Sequence, residues 1–302
     1  MTQNFAAKLP VEFVKNTLQV CGETGELWLE QIPEIIQECS DAWEITPRAH
    51  FPDLTYNYVA PAATVDGQSV VLKIGLPLAE PEIFGEAAHL RHMNGLGTVQ
   101  ILAEERSIRA ILIERVIPGL SLKEVFSETP MRAVDTAIDV LKKITRQVPV
   151  GLSDLVLFNT WLEKLRNPGE PEFPRDYVDK ALEIFDGGDD DLRLIHGDFH
   201  HTNILSAQRS DFLSIDPKGV IGDVRYDMGI FLHNHHRWLM ELGRSPAELQ
   251  ASARRFADAF EMPIRELKRW VFASIVLGNY WTFIEGGDSW RNELAIADFW
   301  DV

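Results

Sequence analysis

Leu194-Ile-His-Gly-Asp-Phe-His-His-Thr-Asn-Ile-Leu205, followed by Phe212-Leu-Ser-Ile-Asp-Pro-Lys-Gly219, is the stretch from which the fold is read. The apolar run Leu192 to Ile195 predicts a strand that delivers the chain to a polar loop. Ile204-Leu205 and Phe212 to Ile215 predict a hairpin around Ser206 to Asp211. Loop and hairpin together carry Asp198, Asn203 five residues on, and Asp216 thirteen after that. A carboxylate beside a hydroxyl is equipped to act as a general base. An amide oxygen and a second carboxylate are the kind of ligand Mg²⁺ takes.

This is the D-x-x-x-x-N then D layout of the kinase catalytic and metal-binding loops. His196-Gly-Asp198-Phe-His200-His-Thr-Asn203 resembles the H-G-D-x-H-x-x-N signature of the aminoglycoside phosphotransferase branch of the kinases. Asp216-Pro-Lys-Gly219-Val-Ile-Gly222-Asp223-Val-Arg-Tyr226-Asp227 resembles the D-P-K-G…G-D…Y-D segment of the aminoglycoside/hydroxyurea antibiotic resistance kinases, the streptomycin 6-phosphotransferase family. The resemblance implies an α+β, two-lobed, protein-kinase-like fold. Residues 1–115 would hold a helical extension and a small antiparallel-sheet nucleotide-binding lobe. Residues 116–302 would form a mainly helical catalytic and substrate-binding lobe. It also implies ATP and Mg²⁺ as cofactors and a small-molecule acceptor such as streptomycin or hydroxyurea; two cysteines alone make a reduced, cytoplasmic chain the simple reading. In that frame Asp198 is the base, and Asn203 and Asp216 hold Mg²⁺. His196 and His200 brace the loop, and Asp227 caps its backbone N–H groups from the following helix. Lys218 either lies near the transferred phosphate or pairs with a nearby acid.

Towards the N-terminus, Asp66-Gly67 between two apolar runs is a hairpin signal. Period two puts Ser69, Val71 and Lys73 on one strand face and Val70, Leu72 and Ile74 on the other. Alone, Lys73 reads as an edge residue laying its stem along apolar surface. The resemblance makes it the lysine that neutralises the α- and β-phosphates. Pro81 to Asn94 reads as a helix, and its Glu86, rather than Glu82, matches the family's lysine partner. Gly97 to Glu104 and Arg109 to Arg115 read as strands. In the family the second would end at the hinge, where Glu114 and Val116 contribute backbone C=O and N–H to the adenine edge. Pro118-Gly119 is then a loop signal for the crossing between lobes. Phe51 to Tyr58, where kinases usually place glycines over the phosphates, contains none.

The remaining segments supply packing rather than chemistry. Pro10 to Cys21 and Leu27 to Cys39 read as helices, the second with the apolar stripe Trp28, Leu29, Ile32, Ile35 and Ile36. Met131 to Val148, Leu152 to Leu165, Asp176 to Phe185, Ala247 to Phe260 and Pro263 to Ile284 read as further helices around a Pro-rich loop at Asn167 to Pro174. Asp186 to Asp191 concentrates four aspartates, either a solvated turn or a collar for a cationic substrate. Cys21 and Cys39 are too few for a disulfide scaffold. No secretory signal opens the sequence. Trp270 to Ile284 falls short of the ~20 apolar residues of a spanning helix. A net charge of −17 argues against nucleic acid or anionic membrane as partners and favours a cationic small substrate.

The nearest alternative is a kinase of the same fold that acts on a sugar, an amino alcohol or another metabolite, and two rivals come from other classes. His196, Asp198, His200, His201, His233, His235 and His236 contain the ligand types of a zinc or di-metal hydrolase. The glycine-free loop suits a nucleotide-binding pseudokinase that transfers nothing.

Overall fold

The computed structural model describes residues 9–79, 82–148, 154–167, 172–188 and 191–301. The protein divides into two compact units, one running to Ile117 and the other starting at Pro118.

The first unit opens with α1 (Val11–Trp43), broken at Gly22 (φ 54°, ψ −133°) into the two helical stretches that the periodicity predicts. Trp28, Ile32, Ile35, Ile36 and Cys39 recur at helical spacing and are buried. They face β1 (Ile45–Pro47), β2 (Tyr58–Thr64) and β3 (Ser69–Ile74). After α2 (Glu82–Met93), strands β4 (Ile101–Glu105) and β5 (Ala110–Glu114) complete an antiparallel sheet in the order β1-β2-β3-β5-β4. Val70, Leu72 and Ile74 are fully buried in the cluster with the α1 stripe. Burial of each such group stabilises the fold by about 1.5–3 kcal/mol. That apolar face fixes the register, Tyr58↔Ile74 through Ala63↔Ser69. It therefore sends Lys73 to the opposite face. Pro81, the expected start of α2, lies outside the described residues.

The second unit begins with β6 (Pro118–Ser121) and α3 (Leu122–Val125), the latter opened by a capping box between Ser121 and Glu124. Pro118-Gly119 is thus strand, not the expected loop. Proline tolerates the first position of a strand because no ladder donor is demanded there. α4 (Pro130–Ile144) ends four residues earlier than Val148, and β7 (Arg146–Gln147) follows. The predicted helix from Leu152 instead contains β8 (Val156–Leu157) and then α5 (Phe158–Arg166); Leu152 lies outside the described residues. α6 (Arg175–Asp186) leads to β9 (Arg193–Ile195), β10 (Ile204–Ala207), β11 (Phe212–Ser214) and β12 (Val220–Gly222). β10 and β11 form the expected hairpin, with Ile204 opposite Ser214, and β6 joins β10 on its other edge. A second small sheet has the order β7-β9-β12-β8. The two-residue strands β7 and β8 escape pattern reading because a period needs more repeats than they have.

α7 (Val224–Glu241), α8 (Pro246–Ala259), α9 (Ile264–Ile284) and α10 (Trp290–Ala297) complete the unit. Asp223 starts α7 as its N-cap, accepting from the Arg225 amide at 2.9 Å. α7 crosses α9 so closely at Gly229 that a Cβ there would stand 2.3 Å from Ser274 Oγ. The apolar run from Trp270 is the buried part of α9. Among the described residues, no helix is long and apolar enough to cross a membrane. Of the aspartate cluster, Asp186 pairs with Arg166 and Asp191 with Arg193, while Asp189 and Asp190 lie outside the described residues.

Candidate active site

β9 ends in Leu194 and Ile195, both fully buried, and the backbone turns at His196-Gly197. The Asp227 carboxylate holds that turn from the first turns of α7. Its two oxygens accept from the amides of His196 (2.7 Å) and Gly197 (2.8 Å). Gly197 sits at φ +81°, and a Cβ on it would meet Trp161, Val220 and Lys218 at 3.0–3.1 Å, so glycine is required twice over. The His196 ring lies under the loop. Its Nδ1 accepts from the Asp198 amide at 3.2 Å, which leaves Nε2–H to donate to the Ile215 carbonyl at 2.9 Å. One neutral tautomer satisfies both bonds, and burial accordingly pushes the His196 pKa down to about 4. Burial pushes Asp227 the other way, to about 7, against the pull of its two amide donors.

Asp198 follows, with 34 % of its side chain exposed, so a second molecule can reach it. Burial would raise its pKa, but hydrogen bonding and charge from His200, Lys218 and His196 outweigh that and keep it lowered. His200 Nε2 lies 3.3 Å from Asp198 Oδ1. The amide nitrogen of Asn203 donates to the Asp198 carbonyl at 3.0 Å and to Oδ2 at 3.3 Å. That nitrogen also stands 3.2 Å from His200 Nε2. The side-chain oxygen of Asn203 enters none of these bonds. Asn203 also accepts the Ile215 amide on its backbone carbonyl at 2.9 Å, which ties the loop to the end of β11.

Asp216, just past β11, has φ +61°, a conformation that costs most residues of order 1 kcal/mol and gathers at functional positions. Lys218 Nζ lies 3.3 Å from Asp216 Oδ2 and 4.0 Å from Asp198 Oδ2. Its own amide donates to the His196 carbonyl at 2.7 Å. Two carboxylates would otherwise repel by a few kcal/mol at an effective dielectric of ~20. The donor types, two carboxylates linked through Lys218 and an Asn203 amide whose oxygen takes part in none of the bonds above, suit a hard divalent cation such as Mg²⁺. Of the expected residues in this unit, Asp198, Asn203, Asp216, His196, His200 and Asp227 therefore share one small region.

In the first unit, Lys73 Nζ donates to both oxygens of Glu86, at 2.7 and 2.6 Å, and the two side chains are only 7 % and 4 % exposed. Glu82, the alternative partner, is exposed. The Glu114 amide donates to the Gln100 carbonyl at 2.8 Å, so a backbone role towards a base edge falls to its carbonyl. Val116 is half-buried just beyond β5. In the glycine-free loop, Leu54 and Tyr58 are buried anchors, and the Thr55 carbonyl accepts from Asn16 at 3.3 Å.

The remaining histidines do not converge as a hydrolase centre would need. His201 Nε2 meets His235 Nδ1 at 3.1 Å, and His235 Nε2 meets Ser252 Oγ at 3.1 Å. Burial holds His201 well below its ordinary pKa and His235 at about 3, so both are neutral. His236 accepts from Trp300 at 3.3 Å, and His233 faces Glu293 at 3.4 Å. Among the described residues no group of three or more His, Cys, Asp or Glu is placed to hold a metal ion. The buried Arg225, which forms a fork with Asp223 and an ion pair with Glu266, escaped sequence reasoning. So did Trp161 and Tyr226 beside the His196-Gly197 turn; only their proximity in space marks them.

The family model of the aminoglycoside/hydroxyurea antibiotic resistance kinases matches residues 42–286. The streptomycin 6-kinase of Streptomyces glaucescens is 26 % identical over 236 residues, 76 % of this chain and 75 % of that protein. The hydroxyurea phosphotransferase of Kitasatospora aureofaciens is 27 % identical over 231 residues, 73 % of this chain and 66 % of that protein. Among solved structures, an amicoumacin kinase in complex with AMP-PNP and Ca²⁺ superposes with a TM-score of 0.62 at 14 % identity, covering 87 % of this chain and 91 % of that one. That likeness bears on the fold, which is the protein-kinase-like fold expected: an antiparallel-sheet unit followed by a mainly helical one. The protein is a small-molecule kinase and belongs to the aminoglycoside/hydroxyurea antibiotic resistance kinase family.

Proposed function

We propose that this kinase transfers the γ-phosphoryl group of ATP to a hydroxyl of a small molecule, with streptomycin or hydroxyurea as the leading acceptors. Asp198 takes the hydroxyl proton as the acceptor oxygen forms its bond to phosphorus. The bond from phosphorus to the β–γ bridging oxygen breaks, and ADP leaves with that electron pair. The observation that carries this reading is the ionised, partly open Asp198 beside the Asn203 amide and the strained Asp216, with Lys218 between the carboxylates.

Asn203 and Asp216 are the residues to hold Mg²⁺, which when bound neutralises phosphate charge and orients the transferring group. Lys73, kept in place by Glu86, neutralises the α- and β-phosphates. The Glu114 carbonyl and the Val116 amide serve the adenine edge. His196, His200 and Asp227 position the loop without touching substrate. Residues up to 115 form the nucleotide-binding part and those from 116 the catalytic and acceptor part. ATP as phosphoryl donor makes the cytoplasm the working compartment.

The test is ADP release, followed by a coupled assay with Mg²⁺, across streptomycin, other aminoglycosides, hydroxyurea and common hydroxylated metabolites. Turnover with one of the first three classes, lost by 10²–10⁴-fold in Asp198→Asn, is the expected result. An Asp198→Asn variant as active as the parent would remove Asp198 as base. Turnover confined to a metabolite would overturn the acceptor assignment.

A further inference from the structure

His201 opens a single 3₁₀ turn, His201–Asn203, that carries the loop from Asp198 into β10. At three residues per turn, successive side chains leave such a turn about 120° apart. Thr202 is exposed, Asn203 faces Asp198, and His201 points into the core with 1 % of it exposed. One short turn of backbone therefore couples the orientation of the His201 ring to the direction of Asn203.

The ring is received by one face of α7, on which Phe231, His235 and Trp238 recur at helical spacing. It lies nearly parallel to Phe231, with centroids 4.2 Å apart, and edge-on to Trp238 at 5.1 Å. His201 Nε2 and His235 Nδ1 stand 3.1 Å apart in rings whose planes differ by 6°. The far end of this chain fixes where its protons sit. Ser252 Oγ on α8 donates its one proton to the Glu248 carbonyl at 2.9 Å, in preference to the weakly accepting Met131 sulfur at 3.9 Å. Ser252 therefore accepts from His235 Nε2–H at 3.1 Å. Burial keeps both rings neutral, so His235 Nδ1 accepts from His201 Nε2–H. His201 Nδ1 is left as a buried acceptor with no hydrogen-bond partner among the described residues.

That arrangement does not maximise stability. A buried acceptor without a donor is costly, and an apolar ring stacked on Phe231 would fill the space without it. A directional chain supplies one ring orientation instead, which apolar packing defines less sharply. We propose that His201, oriented by His235 and Ser252, is a positioning residue that aims Asn203, so that a hydroxyl on α8 sets how firmly the site holds Mg²⁺. This rests on the phosphotransfer reading above and extends it to three buried side chains, none of which touches a reacting atom.

The experiment reads metal binding without any acceptor. Calorimetry follows the binding of AMP-PNP with and without Mg²⁺ to the parent protein, His201→Phe, His201→Gln, Ser252→Ala and Asn203→Ala, with kcat and urea unfolding beside it. His201→Phe should keep or raise the unfolding midpoint and yet shrink the gain in affinity that Mg²⁺ brings by about 10- to 100-fold, with affinity in the absence of metal unchanged. Ser252→Ala should shrink it by a smaller factor. His201→Gln, whose side-chain amide donates from a similar reach, should recover part of the loss. Nitrogen-15 NMR should find the proton of both rings on Nε2. The inference is overturned if Asn203→Ala loses the Mg²⁺-dependent gain while His201→Phe and Ser252→Ala keep it. It is overturned too if the gain falls only in step with the unfolding midpoint, or if His201 carries its proton on Nδ1. Should His201→Phe fail to fold, Ser252→Ala, which removes a single hydroxyl, decides by the same readings. An Asn203→Ala variant that keeps the full gain would instead refute Asn203 as a metal ligand, and this inference with it.

Discussion

Replacing Asp227 by Asn tests whether the catalytic turn is held by charge or by geometry. The carboxylate is fully buried and offers one oxygen each to the amides of His196 and Gly197. An amide of the same shape has a single acceptor oxygen, so one of the two N–H groups then faces an NH₂ donor. One buried donor left unpaired costs about 1–3 kcal/mol. The loss of charge adds little at neutral pH, because burial raises the Asp227 pKa to about 7 and leaves the group poised between its two forms. The expected loss is therefore about 1–3 kcal/mol, below the 3–5 kcal/mol of a broken buried ion pair. In urea that lowers the midpoint by about 1 M at an m of ~2 kcal/mol/M. Activity should suffer more than stability. The freed turn carries Asp198, and a shift of about 1 Å in a reacting group costs on the order of 10²-fold in kcat. Asp227→Ala, which leaves both amides unpaired, should cost about twice as much stability. The assay is urea unfolding followed by circular dichroism, beside kcat for the same preparation. Asp227→Asn with unchanged midpoint and kcat would refute the geometric account. A loss above about 5 kcal/mol would show that the charge dominates after all.

Three further outcomes follow from the same groups. Lys73→Met strands the Glu86 carboxylate in a buried setting and should cost about 3–5 kcal/mol, whereas Lys73→Met with Glu86→Leu should recover most of it; equal unfolding midpoints for single and double variants would contradict the pair. Lys218 helps hold the Asp198 pKa down, so Lys218→Met should move the acid limb of the kcat/KM profile to higher pH, and an unmoved limb would exclude Lys218 as its counter-charge. His196, His201 and His235 have folded pKa values lowered from about 6.5, so what they contribute is complete above that pH and is lost as pH falls towards 4. Asp227, raised to about 7, acts in the opposite direction over the same window. Four lowered histidines, His236 among them at about 4, outweigh the one raised carboxylate, so stability should fall as pH drops from about 6 to 5, and a flat stability profile there would show that these rings are not buried neutral.

Whatever rests on spacing along one strand, turn or helix was legible in the amino-acid order. Lys73 follows from the period-two alternation of β3, since the face that buries Val70, Leu72 and Ile74 must send it the other way. The Asp198–Asn203 pair follows from a five-residue turn, and the hairpin from its apolar edges. The two-residue strands β7 and β8 were illegible, because pairing with β9 and β12 makes them strands and their own residues do not. Folding in three dimensions puts Glu86, which the resemblance preferred to Glu82, against Lys73, and was needed to settle that the scattered histidines find separate partners and that Trp161 lies on Gly197. Those contacts join residues 13 to 36 positions apart, and hydrophobicity patterns reach only the next turn or the next strand. Packing chooses among partners that sequence leaves equivalent, because only in the folded state does burial make an unpaired charge or amide costly.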